Sequence, residues 1–270
     1  MKALITGSKG FIGKNLLCKL SGANFETRDI DLDDFYPAGW MDKLENILLR
    51  FHPDVIFHVG ACSNTLETDV NYIMEVNYEC TKLLCDWAKK NKKKIIYSSS
   101  AANYGQGNYP SNLYGWSKYV AEGYVVSNGG VGLRYFNVYG PGEEHKGRMS
   151  SVALQMFTKR LNSEEISLFP GIPTRDFVFI DDVVEANLFA LTKYESLYGD
   201  WYDIGSYDSR SFEDVLISMG ITNWSYTKEE DVPKGYQYFT LARKSMPGWK
   251  PKFTLEEGIK EYVKYLESHG

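Results

Sequence analysis

At 270 residues, with 43% hydrophobic and 24% charged residues, the chain has an ordinary globular balance and length for one or two cored domains. Its net charge of −5 argues against a nucleic-acid binder, whose footprint is a basic surface. No apolar run approaches the length of a bilayer span and no signal peptide precedes the first strand pattern, so a cytoplasmic location is expected, with no membrane partner.

The first run, "KALITG", reads as a strand and leads into "TGSKGFIG", with glycines at 7, 10 and 13. Gly7 suits a tight turn, Gly10 lets the backbone approach a pyrophosphate, and Gly13 permits close helix–strand packing. The following helix, "FIGKNLLCKLSG", begins with Phe11 and Ile12, where free N–H groups and the dipole favour an anion. A plain structural turn has the same glycines; the position after the first strand favours a dinucleotide. "NFETRDI" reads as the second strand. Arg28, Asp29, Asp31 and Leu32 then stand where an adenosine ribose is met. A carboxylate there suits the 2′-hydroxyl of NAD and an arginine the 2′-phosphate of NADP. The crowding of Asp29, Asp31, Asp33 and Asp34 leans toward NAD, although Asp33 and Asp34 also suit a helix N-cap.

"MDKLENILLRF" follows as a helix and "PDVIFHVGA" as a strand. About twenty residues separate this strand from the second, and one helix fills most of them, so the sheet is expected to have a trimmed edge. "VNYIMEVNYECTKLLCDWAKK" reads as one long helix. The basic run from Lys89 to Lys94 suits a solvated helix C-terminus. "KKIIYSSS" is a strand, "YGWSKYVAEGYVV" a helix, and "VGLRYFNVYG" a strand. Strands alternating with helices imply βαβ units and a doubly wound parallel sheet of Rossmann type.

"YGWSK" sets Tyr114 and Lys118 four apart, on one helix face. A phenol titrates near 10 and is a poor base at neutral pH. A neighbouring ammonium and the positive nicotinamide of a bound cofactor favour the phenolate, so Tyr114 is expected to titrate lower and take a hydroxyl proton. Ser98, Ser99 and Ser100 end the preceding strand, where a hydroxyl can hydrogen-bond the reacting oxygen. Alone, a YxxxK spacing is usually structural; one β–α unit after "IIYSSS", in a chain that opens on the glycine turn, it reads as catalytic.

Beyond Gly140 the rhythm is less regular. "GPGEEHKGRMSSV" carries His145 and Lys146, by themselves an ordinary basic loop. "SSVALQMFTKRL" is a helix, "ISLFPG" and "RDFVFI" are strands, and "DDVVEANLFALTKY" is a helix. Ser211 and Thr254 open two late helices, the second with Glu257 in capping-box position. The division expected is residues 1–140 as a dinucleotide-binding domain to which 176–204 return, with 141–175 and 205–270 as a smaller α/β substrate lobe. Cys18, Cys62, Cys80 and Cys85 form no CxxC and sit in apolar patterns, so four buried free thiols and no metal site are expected.

"TGSKGFIG", "GACS", "YSSSAANYG", "YGWSK", "RYFNVYGP" and "RDFVFIDDVV" occur in the order of the extended short-chain dehydrogenases/reductases, the nucleotide-sugar epimerase and dehydratase group, which the chain resembles over nearly its whole length. "FHVGACSNT", "FNVYGPGEEHKGRMSSVA" and "GYQYFTLA" are most similar to the ADP-glycero-manno-heptose 6-epimerase branch. The resemblance implies Ser100, Tyr114 and Lys118 as the catalytic set and Lys146 as a second base. It implies Gly60, Ala61, Cys62, Ser63, Asn77 and Val138 against the cofactor, NADP in that branch or else NAD. It places Asn137, Arg148, Gln155, Phe169 and Tyr236 toward the nucleotide sugar and Arg175 on its diphosphate, and it implies a homo-oligomer. Arg148 and Gln155 replace the Ser and His of the branch, and Ile172 replaces a serine. The alternatives are an epimerase or reductase of another nucleotide sugar and a non-catalytic dinucleotide sensor.

Overall fold

A computed structural model describes residues 1–31, 39–107, 109–233 and 236–269. Strand β1 (Lys2–Thr6) has four consecutive buried residues and runs through the glycine turn into α1 (Phe11–Ser21). There follow β2 (Glu26–Ile30), α2 (Trp40–Phe51), β3 (Val55–His58), α3 (Val70–Met74), α4 (Cys80–Lys90), β4 (Lys94–Ser100), α5 (Leu113–Ser127) and β5 (Val131–Tyr135). After these come β6 (Asn137–Tyr139), α6 (Val152–Leu161), β7 (Ser167–Leu168), β8 (Thr174–Phe179), α7 (Ile180–Thr192), α8 (Tyr194–Leu197), β9 (Asp200–Ile204), β10 (Ser209–Ser211), α9 (Phe212–Ser218), β11 (Ser225–Tyr226) and α10 (Leu255–His269).

The main sheet has the order β2-β1-β3-β4-β5-β9, with parallel pairing from β2 through β5. The apolar runs "ALI", "VIF" and "IIY" are buried on both faces, as a helix-covered parallel sheet requires. Among the described residues β2 is its edge, as the short spacing before β3 leads one to expect. Leu32, Asp33 and Asp34 lie outside the described residues. Trp40, Leu44 and Leu48 form the buried face of α2 and join Leu84, Cys85 and Ala88 of α4 in one apolar cluster.

The chain divides into two compact units, Met1–Tyr135 with Val184–Tyr202, and Phe136–Val183 with Asp203–Gly270; the division falls inside α7 and β9. The second unit holds a three-stranded sheet, β10-β8-β6, and a parallel pair, β11-β7. Its centre is Asp176, fully buried, whose carboxylate accepts from Ser206 N (2.6 Å) and Oγ (2.8 Å), Tyr207 N (3.1 Å) and Ala242 N (2.9 Å). Ser211 and Thr254 do cap α9 and α10, each with its reciprocal carboxylate, Asp214 and Glu257.

Three expectations are corrected. "VGLRYFNVYG" is two strands: β5 pairs with β4, and β6 pairs with β8 in another sheet. Phe136 breaks the run, its N–H donating to Ile204 O (3.1 Å) while its carbonyl accepts from Val138 N (2.9 Å). The single long helix has a π-helical turn, Glu75–Glu79, between α3 and α4. Cys18 is exposed, because α1 turns it away from the face of Phe11, Leu16 and Leu20; Cys62 is half-buried, Cys80 and Cys85 are buried, and all four are free thiols.

Candidate active site

In the first unit the glycine turn is fixed by backbone contacts that tolerate no side chain. Gly7 has φ +72°, and a Cβ on it stands 2.6 Å from the Gly60 backbone. A Cβ on Gly13 stands 2.0 Å from Gly7 O, so the first turn of α1 rests directly on the strand end. Gly10 is the N-cap of α1 and brings no side chain of its own to the N–H groups of that turn. An anion suits such a helix start. Asp29 accepts from Ser8 Oγ (2.9 Å) and Asp31 from Lys9 N (2.9 Å), so both carboxylates face the turn; Arg28 is exposed. A small pocket at the strand ends is lined by Thr6, Gly7, Ile30, Asp31, Gly60 and Ala61. These features fit a dinucleotide: a glycine-capped helix N-terminus for its diphosphate, close backbone approach, and acceptors for a ribose hydroxyl.

Beneath the turn lies a buried polar chain that sequence reasoning missed. Gly60 N donates to Thr6 Oγ1 (3.0 Å), Thr6 Oγ1 contacts His58 Nδ1 (2.7 Å), His58 Nε2 contacts Thr81 Oγ1 (2.8 Å), and Thr81 Oγ1 donates to Asn77 O (2.6 Å). Thr81 donates its hydrogen to the carbonyl, so its Oγ1 accepts from Nε2–H. Burial and the charge of Lys118 push His58 down to about 3, and the neutral ring then accepts at Nδ1 from Thr6. The signal available was one histidine inside the otherwise apolar "VIFH".

Asn77, in the π turn, accepts from Cys62 N (2.7 Å) and donates to Cys62 O (3.1 Å) and Ser117 Oγ (2.9 Å). Ser117 Oγ donates to Tyr114 O (2.7 Å). Asn77 and Cys62, expected at the cofactor, are therefore joined to each other and to the helix that carries Tyr114. Ala61 and Ser63 flank Cys62 in the same connection from β3.

Ser100 ends β4, and its hydroxyl accepts from Ala102 N (3.1 Å). Asn112 caps α5 by accepting from Gly115 N (2.8 Å), which sets the first turn bearing Tyr114. Tyr114 lies in that turn under the influence of the Ser100 hydroxyl, and Lys118 follows one turn on, only 2% exposed, with Nζ 4.3 Å from the centre of the Tyr97 ring. Burial pulls Lys118 down to about 7 against the attraction of Glu122. The expected lowering of Tyr114 is not found in the protein itself: burial raises it, and the Ser100 hydroxyl, which favours the phenolate, only partly opposes this.

The family model described as "NAD dependent epimerase/dehydratase family" matches residues 3–205. The chain belongs to this family. Two curated relatives named ADP-L-glycero-D-manno-heptose-6-epimerase are each 33% identical. The one from Brachyspira hyodysenteriae aligns over 99% of this chain and 98% of its own length, and the one from Cupriavidus pinatubonensis over 100% of both. The solved structure of the Helicobacter pylori protein of that name matches with a TM-score of 0.85 at 28% identity, over 99% of this chain and 96% of its own. A UDP-glucose 4-epimerase from Thermotoga maritima matches at 0.87 and 25%, over 100% of this chain and 99% of its own. The protein is a nucleotide-sugar epimerase of the NAD dependent epimerase/dehydratase family.

The second unit of this epimerase carries the remaining expected residues. Glu143, fully buried, accepts from Gly140 N (3.2 Å), Ser151 N (2.5 Å) and Ser151 Oγ (2.6 Å), closing the loop from 140 to 151 on itself. Lys146 is half-buried in that loop, and burial lowers its amine while Glu143 opposes. His145 and Arg148 are exposed. Gln155 donates to Ser150 O (2.8 Å) and Arg148 O (3.4 Å), so its amide ties the loop to α6. Asn137 is exposed and accepts from Thr240 Oγ1 (3.3 Å); Val138, next to it in β6, is half-buried. Arg175 is buried; it donates to Thr174 O (2.9 Å) and Gln237 O and lies against the Tyr236 and Phe212 rings. Phe169 meets Tyr236 edge-on at 4.9 Å, so Arg175, Tyr236 and Phe169 form one group. Among the described residues no metal-binding cluster is found, and no helix is long and apolar enough to cross a membrane.

Proposed function

We propose that this protein inverts carbon six of an ADP-linked manno-heptose, with NAD as its resident cofactor. The observation that carries the reading is the Ser100–Tyr114 pair with Lys118 one turn away, in a chain 33% identical end to end to proteins bearing that activity in their names. When bound at the glycine turn, NAD supplies a hydride acceptor and donor. Gly7, Gly10, Phe11, Ile12 and Gly13 hold its diphosphate, and Asp29 and Asp31 accept from its adenosine ribose. Two carboxylates at that place favour a hydroxyl over a phosphate.

Tyr114 takes the proton of the hydroxyl on the reacting carbon, while Ser100 hydrogen-bonds the same oxygen. Lys118, as the ammonium, favours the phenolate that does this work. The substrate passes through a ketone, reorients, and is returned to an alcohol of opposite configuration. Lys146 exchanges the proton on the second face; burial lowers its amine, which makes the proton easier to give up. The cycle has no net redox change. Asn137, Arg148, Gln155, Phe169, Arg175 and Tyr236 are assigned to the nucleotide sugar, and Gly60, Ala61, Cys62, Ser63, Asn77 and Val138 to the cofactor.

Purified protein incubated with ADP-D-glycero-manno-heptose is expected to give the L-glycero epimer, read by NMR of the sugar. No epimer from cofactor-replete protein sinks the substrate assignment. Lys146→Ala is expected to lower turnover about 10²–10⁴-fold, the usual worth of a positioned acid–base group, with cofactor content unchanged. A second reading, epimerisation of a UDP-sugar, is supported by the Thermotoga maritima likeness and by Arg148 standing exposed in the loop. UDP-glucose offered in place of the heptose decides between them.

Self-association is also inferred, in the cytoplasm, through the helical segments 72–87 and 114–126. It is supported by the exposed Trp116, Tyr119 and Val120 of α5. Elution as a monomer in gel filtration at micromolar concentration removes this inference.

A further inference from the structure

Glu122 lies one helical turn beyond Lys118 on α5, on the same face. It is buried, and so is Arg134 of β5, which grips it with Nε at 2.8 and 3.1 Å and Nη2 at 2.5 Å. The guanidinium is itself clamped, 3.4 Å from the centre of the Trp201 ring and 4.7 Å from that of Tyr104. A Cβ on Gly132 stands 3.2 Å from Glu122 Cγ, so β5 passes close behind the carboxylate.

Such a pair is a poor device for stability alone. Removing two charges from water costs several kcal/mol each, and apolar side chains of equal volume often do as well. A fixed negative charge beside a buried ammonium is another matter. The titratable groups around Lys118 are Tyr97 from β4, His58 from β3, and Tyr114 and Glu122 from its own helix. Burial keeps Tyr97 a phenol and His58 a neutral imidazole. Glu122 is the group whose charge attracts Lys118. Arg134 holds that carboxylate in one place and tempers its field.

We propose that Glu122, clamped by Arg134, is a positioning residue that favours the ammonium form of buried Lys118 as the partner of Tyr114. The functional part of this rests on the epimerase reading above; the effect on Lys118 does not. Without Glu122 the amine loses its proton already below neutrality, Tyr114 loses its cationic neighbour at neutral pH, and the phenolate is no longer favoured. Without Arg134 the carboxylate acts on Lys118 undiluted.

The test is the titration of Lys118 in the full-length protein, followed by 13C NMR of lysines labelled at Cε and assigned with Lys118→Arg. Glu122→Gln is expected to lower the Lys118 midpoint by about one pH unit or more, a tenfold change in its protonation equilibrium. Arg134→Gln is expected to raise it. Opposite shifts cannot come from general loosening of the fold. An unmoved midpoint in Glu122→Gln, or shifts of the same sign in both variants, overturns the proposal. If Glu122→Gln does not fold, an upward shift in Arg134→Gln supports the proposal and its absence overturns it. With the sugar nucleotide, Glu122→Gln is expected to move the alkaline fall of kcat to lower pH with KM unchanged. Lack of turnover by the unsubstituted protein defeats the reading of the reaction, while the lysine titration still decides the role of Glu122.

Discussion

Single side chains here act through their surroundings more than through their type. Tyr114 is an ordinary phenol until the Ser100 hydroxyl and buried Lys118, one turn on, act on it. Tyr114→Phe is expected to remove turnover and leave dinucleotide retained, read by cofactor absorbance in the purified protein; unchanged function favours the sensor alternative. His58 shows the same dependence in a residue with no catalytic task. Its ring joins two buried hydroxyls, so His58→Leu takes one hydrogen bond from each, at roughly 0.5–1.5 kcal/mol apiece. The ring also makes stability depend on pH in a known direction. Its folded pKa is about 3 against 6.5 unfolded, so the unfolded chain takes up the proton first as pH falls. Stability therefore declines from pH 6.5 toward 3, by up to about 1.4 kcal/mol per unit. Denaturant unfolding across that range is expected to show a shallower decline in His58→Leu, although this variant is less stable at pH 7.

At the level of elements, the first β–α unit does its work by contact of backbone with backbone. Gly13 lies on Gly7 O with no room for a methyl group. Gly13→Ala must move α1 away from β1, at about 1–3 kcal/mol. Dinucleotide affinity, measured by calorimetry, is expected to fall at least about tenfold, which corresponds to 1.4 kcal/mol. The π turn has a comparable task. One extra residue in the turn before α4 puts Asn77 where it grips Cys62 and Ser117 together, an arrangement a regular helix would rotate away. Periodicity in "YIMEVNYEC" does not reveal it, because a single inserted residue leaves the apolar pattern on both sides intact. The break at Phe136 was hidden for a related reason: "VGLRYFNVY" reads as one unbroken run without a turn signal, and which sheet a strand joins depends on partners distant in sequence.

For the whole molecule, the parallel sheet brings strand ends from many places in the chain to one edge, and glycine turn, Ser100 and α5 gather there in the first unit. Binding at such a place stabilises the folded state by mass action. At a hundredfold excess over its dissociation constant, NAD is expected to add about 2.7 kcal/mol. Asp29 and Asp31 turned toward the glycines predict a larger rise in Tm with NAD than with NADP at equal concentration. A larger rise with NADP transfers the ribose site to Arg28.

The sequence by itself determined what is local. The order of strands and helices, the glycine turn, the two caps at Ser211 and Thr254, and the spacing of Tyr114 to Lys118 all rest on neighbours within a few residues, where backbone sterics and helical geometry leave little choice. Only the tertiary structure decided the environment of those residues. The proton order through His58, the clamp of Arg134 on Glu122, the closure of the Lys146 loop by Glu143, and the upward shift of Tyr114 depend on desolvation and on partners far apart in the chain. Burial is a property of the packed whole, so no short stretch of sequence carries it.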